Sequence, residues 1–345
     1  MLLYLFWYLL MAFLGMVNLL YDRIAKNRMV FFCIFVLLVL MIGCRATGYD
    51  YWSYIYIHKL VQSGKEVELV EPGFLFVCSL FPTYRLMFLG MAFLTVAFNL
   101  TFLYKKSPLF FFSLFLLCTT FLFPTFMGQM RQGVALGIMA WAICNIQNKK
   151  RFFLLLALAA CFHISALLGL LVLFIPKKKR SLKYYLLGLV VASLLGRLTP
   201  FVVDWVLGLL STESLIWQKL FFYTETQDAI LGINTAVLIR LVILFLCYWR
   251  MDKIEEPSFP FLVNIYHYSI LLYMVLGFVP QMAARGSLYF SYYELLLVPF
   301  FILSFTRYNR LIVAGAFILL SVLRFVQFFM DDFNYSEYVP YLQYL

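Results

Sequence analysis

Charged side chains are scarce here: 12% of the 345 residues, against about 25% in an ordinary soluble domain. Histidine occurs three times, and 16 acidic residues face 27 Lys/Arg. Hydrophobic residues make up 65% of the chain, where a soluble fold carries about 45–50%. A water-soluble protein of this size could not hide that much Leu, Phe and Tyr, which excludes a nuclease, a Rossmann enzyme, a coiled coil and a disordered scaffold. The seven cysteines (33, 44, 78, 118, 144, 161, 247) fall mostly inside apolar runs. No CxxC pair exists, so neither a disulfide framework nor a zinc site is indicated. The period-2 alternation of an outer-membrane barrel is missing, and so is any internal repeat. Met1–Leu20 has no basic n-region, and no small-residue cleavage site follows it, so it is expected to stay as a first span.

What is there is a succession of apolar runs near 20 residues long, the signature of an all-α, polytopic integral membrane protein. The spans are expected at about 2–20, 29–43, 84–104, 109–126, 130–146, 184–203, 232–249, 262–282, 288–305 and 311–328, about ten within a single transmembrane domain covering 1–345. Residues 44–83 read as an outer polar loop, in which Phe74–Phe81 is too short to cross and lies as an interfacial helix. A second outer loop, 204–231, holds another interfacial stretch. The tail from Met330 is polar and rich in Tyr.

Segment 152–176 has two readings. It lies between basic clusters, KKR before and KKKR after. As one helix it would reach roughly 36 Å, enough for a tilted crossing. Folded back at CFHIS (161–165), each half would reach roughly 16 Å, about half the hydrocarbon core. Charge favours the re-entrant hairpin. With it, most of the 27 Lys/Arg lie on the side of loop 21–28, together with only four acidic residues (Asp22, Asp252, Glu255, Glu256). With a single crossing, KKKRSLK would face outward and every later loop would invert, against the positive-inside rule. The net charge of +11 is thus a topology signal at a bilayer, not a nucleic-acid surface.

This topology gathers the unusual residues on the outer side. Arg45, Asp50, Tyr54, His58 and Glu71 lie in the first outer loop; Arg131 and Gln132 open the fifth span. Arg285 and Glu294 bracket a turn between the two late spans, and Asp331, Asp332, Glu337 and YVPY (338–341) close the chain. His163 sits at the apex of the fold-back. Charged groups at membrane depth are costly and mark function by default. Each also has an ordinary role. Arg131 and Arg285 near span ends can snorkel to headgroups, His163 can satisfy the backbone of a broken helix, and Asp50 and Glu71 can be plain loop carboxylates. Arg240 and Arg324, inside apolar runs, pair with acids or mark a cavity. Asp331–Asp332 reads as a solvated tail before a divalent-cation site. YDYWSYIYIH (49–58) and YFSYY (289–293) are either an aromatic belt or a platform for sugar rings, offering flat faces with polar tips.

Arginine forks at a membrane boundary suit a diphosphate, which they bind bidentately while staying charged. A nearby carboxylate or histidine can remove a proton from a hydroxyl. A substrate with a lipid tail, a diphosphate and a sugar would use bilayer, arginines and aromatics together, although an anion transporter satisfies the arginine part.

Three stretches resemble the EpsG-like, or Wzy-type, bacterial polysaccharide polymerases. The first is GCRATGYDYWSYIYI followed by VEPGF: an Arg, an Asp with spaced tyrosines, and a Glu before a Gly. The second, and most specific, is MRQGVALGIMAWAI with NKKRFFLLLALAACFHISALLGL, which places Arg131 and His163 about thirty residues apart. The third is the Arg285–Tyr289 turn with the terminal YVPY. The extra Gly-Tyr before Asp50 departs from the pattern.

The resemblance implies a membrane-embedded glycosyltransferase architecture and an undecaprenyl-diphosphate-linked oligosaccharide substrate. The growing glycan would pass to another lipid-linked repeat on the periplasmic or outer face of the cytoplasmic (inner) membrane. On that reading Arg131 and Arg285 hold the donor diphosphate with Arg45 and Gln132 beside them. His163, or failing that Asp50 or Glu71, takes the acceptor proton, and Tyr54 and Tyr289 guide sugars. Arginine-based charge stabilisation makes a metal unnecessary, so no metal or cofactor is expected. The expected partners are the lipid-linked glycan, membrane lipids and a chain-length regulator, with no nucleic acid. A lipid-linked glycan flippase is the rival reading, and a membrane acyltransferase a third that leaves the arginine pair unexplained.

Overall fold

A computed structural model describes residues 2–21, 27–214, 217–218, 221, 224 and 234–339. Loop residues 22–26, most of the expected interfacial stretch within 204–231, and Pro340–Tyr341 lie outside them. The described residues are helical with no strand, and they form two compact units, Met1–Leu167 with Val298–Leu345, and Leu168–Leu297.

The first unit is built around α6 (Phe110–Thr120), buried from Phe110 through Thr119. A helix that is apolar on every side belongs in a core. On one side stands α1 (Leu2–Leu20), where Gly15 lets the two backbones approach and Tyr8 meets Phe115 at 5.2 Å. The Asn18 side chain accepts the Phe111 N–H at 3.0 Å, satisfying one of the first-turn donors that a helix cannot satisfy itself. Helix α14 (Arg307–Met330) adds Phe325, 4.7 Å from Tyr8.

After α6 the chain bends by 75° into a π-helical turn, Leu122–Gly128. Pro124 has no N–H to give to the ladder, and Phe126 N–H bonds back to Phe121 O at 3.0 Å. Such wide turns recur at functional sites. Helix α7 (Met130–Cys144) follows, buried along most of its length. It packs against α5 (Tyr84–Lys106), where the Asn99 amide donates to Gly133 O at 3.0 Å.

Helix α2 (Arg28–Gly43), capped by Asn27, also belongs to this unit. So do α3 (Tyr51–Gln62), α4 (Pro72–Leu80), α8 (Lys149–Phe162) and α15 (Asp332–Tyr338).

In the second unit, α11 (Phe259–Val275) packs with α9 (Leu182–Leu209), α10 (Thr235–Arg250) and α12 (Pro280–Ser291). Asn264 accepts from the Tyr185 hydroxyl at 2.6 Å and donates to the carbonyls of Pro176 (2.6 Å) and Lys178 (3.0 Å). A buried amide thus pins the basic loop to the helix. Helix α13 (Glu294–Leu303) follows α12 with a 44° bend.

Among the described residues four helices, α1, α5, α9 and α14, are long and apolar enough to cross a bilayer, and up to six spans result if each bent pair counts as one. Arg28–Gly43, Met130–Cys144 and Phe259–Val275 are apolar but shorter. Exposed Leu187, Leu194, Leu198 and Phe201 on α9 give it a face suited to lipid. The chain is an all-α polytopic membrane protein.

Two segments differ from the sequence expectation. The aromatic stretch after Cys44 contains a helix, α3, with Tyr51, Tyr54, Ile55 and His58 buried and Trp52 and Tyr56 exposed. Aromatic residues on both faces conceal its 3.6-residue period. Arg285 lies within α12, started by Pro280 at its first position, and the break falls after it at Tyr292–Tyr293. Segment 152–176 is interrupted at His163, which is extended (φ −156°, ψ 118°) between α8 and a 3₁₀ helix, Ile164–Phe174.

Candidate active site

The sequence Glu71-Pro72-Gly73 opens α4. Pro72 occupies the first helical position, where its missing N–H costs nothing. Gly73 lies against the end of α8. A Cβ there would stand 2.7 Å from the Cys161 carbonyl oxygen and 3.1 Å from its carbon, so only glycine permits this approach.

The consequence is local and chemical. The Glu71 carboxylate reaches the broken end of α8, where Oε1 accepts the Ile164 N–H at 3.2 Å and lies 2.9 Å from His163 Nδ1. Its other oxygen, Oε2, accepts from the Arg131 guanidinium. Arg131 is the second residue of α7, delivered there by the bend at Pro124, and its guanidinium lies over the rings of Phe74 (5.7 Å) and Tyr54 (5.9 Å). The Tyr54 ring that lies under this guanidinium carries a hydroxyl that donates to Asp50 Oδ2 at 3.4 Å. Asp50, Tyr54, Arg131, Glu71 and His163 therefore form one connected string from four separate segments.

The string is half-buried. Side-chain exposure is 22% for Arg131, 14% for His163 and 13% for Glu71. Burial alone would raise the Glu71 carboxyl, but the His163 hydrogen bond and the charges of Arg131 and His163 outweigh it and hold it at about 2. Glu71 is thus a carboxylate under any growth condition. Burial, with Asp50 beside it, pushes the Tyr54 phenol up to about 12, so Tyr54 stays protonated.

Among the described residues nothing hydrogen-bonds His163 Nε2. In the neutral ring, a carboxylate on Nδ1 favours the tautomer with the proton there, which puts the lone pair on Nε2.

The other expected residues separate into groups. Arg45 is 2% exposed, donates to Thr47 O, and lies over Phe88 (5.1 Å) and Tyr51 (5.9 Å). Among the described residues no acceptor meets its buried Nε and Nη2. Gln132 is buried. The His58 ring contacts Phe81 O at 2.9 Å and ties α3 to the end of α4. Asp331 caps α15 through the Asn334 N–H at 2.9 Å.

Arg285 and Tyr289 belong to the second unit, on α12, with Tyr289 buried. There Arg240 donates to Ser287 Oγ at 3.1 Å and covers the Tyr273 ring at 4.8 Å. Buried Glu294 accepts the Tyr266 hydroxyl at 2.8 Å.

His163 and Glu71, alternatives for the base on the sequence alone, are paired in the structure. The signal was present in the Pro-Gly after Glu71, a helix start that a neighbouring backbone can approach closely.

Gly73→Ala should force α4 and α8 apart at this point. Overpacking of this kind costs about 1–3 kcal/mol, but the larger effect is expected at the site, where misplacement of Glu71 should lower activity about tenfold to a hundredfold. Activity per folded molecule in detergent-purified protein reports it, and an unchanged rate would mean that the approach positions nothing.

No curated protein and no solved structure matches this chain. The EpsG family matches it over residues 28–343, a range containing every member of the Glu71 string, and the chain belongs to the EpsG family.

Proposed function

We propose that this protein is the polymerase that joins undecaprenyl-diphosphate-linked oligosaccharide repeats into a surface polysaccharide, by glycosyl transfer on the outer side of the cytoplasmic membrane. Membership of the EpsG family supports a role in polysaccharide biosynthesis at a membrane. The observation that carries the chemical reading is the Glu71 carboxylate held between Arg131 and His163.

In the reaction an acceptor hydroxyl oxygen forms a bond to the donor's anomeric carbon. The bond from that carbon to the diphosphate oxygen breaks, and undecaprenyl diphosphate leaves. His163 Nε2 takes the hydroxyl proton. Glu71 is a poor base for this, because efficient proton transfer needs a pKa nearer the working pH. Its role is to orient the imidazole and stabilise the imidazolium that forms, as the buried carboxylate does in a catalytic triad. Arg131 meets the departing diphosphate, and Tyr54, Arg45 and Gln132, in the same unit, shape the surroundings. A chain-length regulator would act on this enzyme from outside the chain.

Purified protein in liposomes, given lipid-linked repeat units, tests the reading. Longer glycans support it. Repeats that change leaflet without growing would identify a flippase, and acyl groups added to the glycan an acyltransferase; either result ends the assignment. Cysteines placed at 131, 163 and 285 should react with an impermeant thiol reagent from the outer face only.

A further inference from the structure

The terminal YVPY has no place in the reaction above, yet its first residue is fully buried. Tyr338 closes the seven-residue helix α15. Its hydroxyl donates to Phe123 O, in the π-helical turn, at 2.8 Å, and its carbonyl accepts the Tyr4 hydroxyl of α1 at 2.8 Å. One residue earlier, the Glu337 carbonyl accepts the Gly48 N–H at 3.0 Å. Tyr49 hydrogen-bonds Asn334 through its hydroxyl and stacks on Phe333, with centroids 5.6 Å apart and planes at 7°.

The fit leaves no slack. Gly48 has φ +112°, and a Cβ on it would stand 2.6 Å from Met127 O. A Cβ on Gly128 would stand 2.6 Å from the Tyr338 hydroxyl and 2.9 Å from the Tyr49 ring. Three segments meet here: loop 44–50, the π-helical turn and α15. The first runs directly into Asp50 and α3, which carries Tyr54; the second runs directly into Arg131.

We infer that the C-terminal helix is a positioning element of the active site, a clamp closed by Tyr338 that sets Asp50 and Tyr54 in register with Arg131. None of its residues needs to touch substrate. This rests on the reading of that string as the polymerising site.

The test removes the clamp and supplies it again. A chain lacking residues 332–345 should reach the membrane at wild-type abundance and polymerise lipid-linked repeats about a hundredfold more slowly. A synthetic peptide of residues 331–345 should restore the rate to within about threefold, which a role confined to folding would not allow. Tyr338→Phe keeps the ring and loses the bond to Phe123, so a loss of about threefold to tenfold is expected in folded protein. If the shortened chain is unstable, this substitution decides alone.

A wild-type rate in Tyr338→Phe or in the shortened chain overturns the clamp. So does a lost rate that the peptide fails to restore in folded protein. Absence of polymer from the intact chain would overturn the polymerase reading instead.

Discussion

His163→Ala is expected to abolish polymer growth in membranes that contain the protein at wild-type level. The side chain is 14% exposed and among the described residues hydrogen-bonds Glu71 alone, so its loss leaves a small void and little instability. The catalytic loss should be large, because a positioned general base contributes about 10²–10⁴-fold. His163→Gln keeps a polar side chain but offers no basic nitrogen, and should be as inactive. Glu71→Gln should fall between wild type and His163→Ala, since the amide can still hold the ring but cannot stabilise an imidazolium. The rate in liposomes with lipid-linked repeats measures all three. A His163→Ala protein making polymer at more than about a tenth of the wild-type rate would remove the histidine from the mechanism.

Arg131→Ala is the second large effect. It removes the group expected to meet the diphosphate and leaves Glu71, among the described residues, with the His163 contact and the Ile164 N–H. Losing one preorganised donor at developing charge typically costs about 10²–10³-fold. Arg131→Lys should recover little, because an ammonium cannot replace the planar fork that reaches Glu71 while lying over the Tyr54 and Phe74 rings. The comparison separates this role from headgroup snorkelling, for which lysine serves as well as arginine. A Lys variant with wild-type polymer lengths would mean that the arginine anchors the helix end and nothing more.

Much of this architecture is legible in one sequence, for physical reasons. Apolar runs bounded by basic clusters locate the helices because a bilayer demands both, so α1, α5 and α14 fall within a few residues of the expected limits. Helix α3 is not legible, since Tyr and Trp on both faces blur the contrast between buried Tyr54 and exposed Trp52. The bend at Pro124 is legible as a proline and not as a 75° turn.

Among the candidate site residues, the sequence singles out Asp50, Tyr54, Glu71, Arg131 and His163 as unusual polar groups near a membrane boundary. It does not reveal that Glu71 joins two of the others, because that depends on the backbone contact between Gly73 and Cys161, 88 positions apart. The tail shows the same limit. Asp331 and Asp332 are exposed, as a solvated tail requires, but Tyr338 beyond them is held by Tyr4 and Phe123, contacts that no local pattern encodes.

The Glu71–Arg131 pair also bears on which anions this site admits. A guanidinium that already carries its own counter-ion is self-neutralised at rest, and a visiting anion must compete with a tethered carboxylate at high effective concentration. Free phosphate or chloride, arriving from bulk water with no other hold on the protein, competes poorly. A pyrophosphate delivered by a polyprenyl chain arrives already confined to the bilayer and carries more than one negative charge. On the polymerase reading proposed above, the internal ion pair would favour ligands that are both multiply charged and membrane-tethered over small free ions.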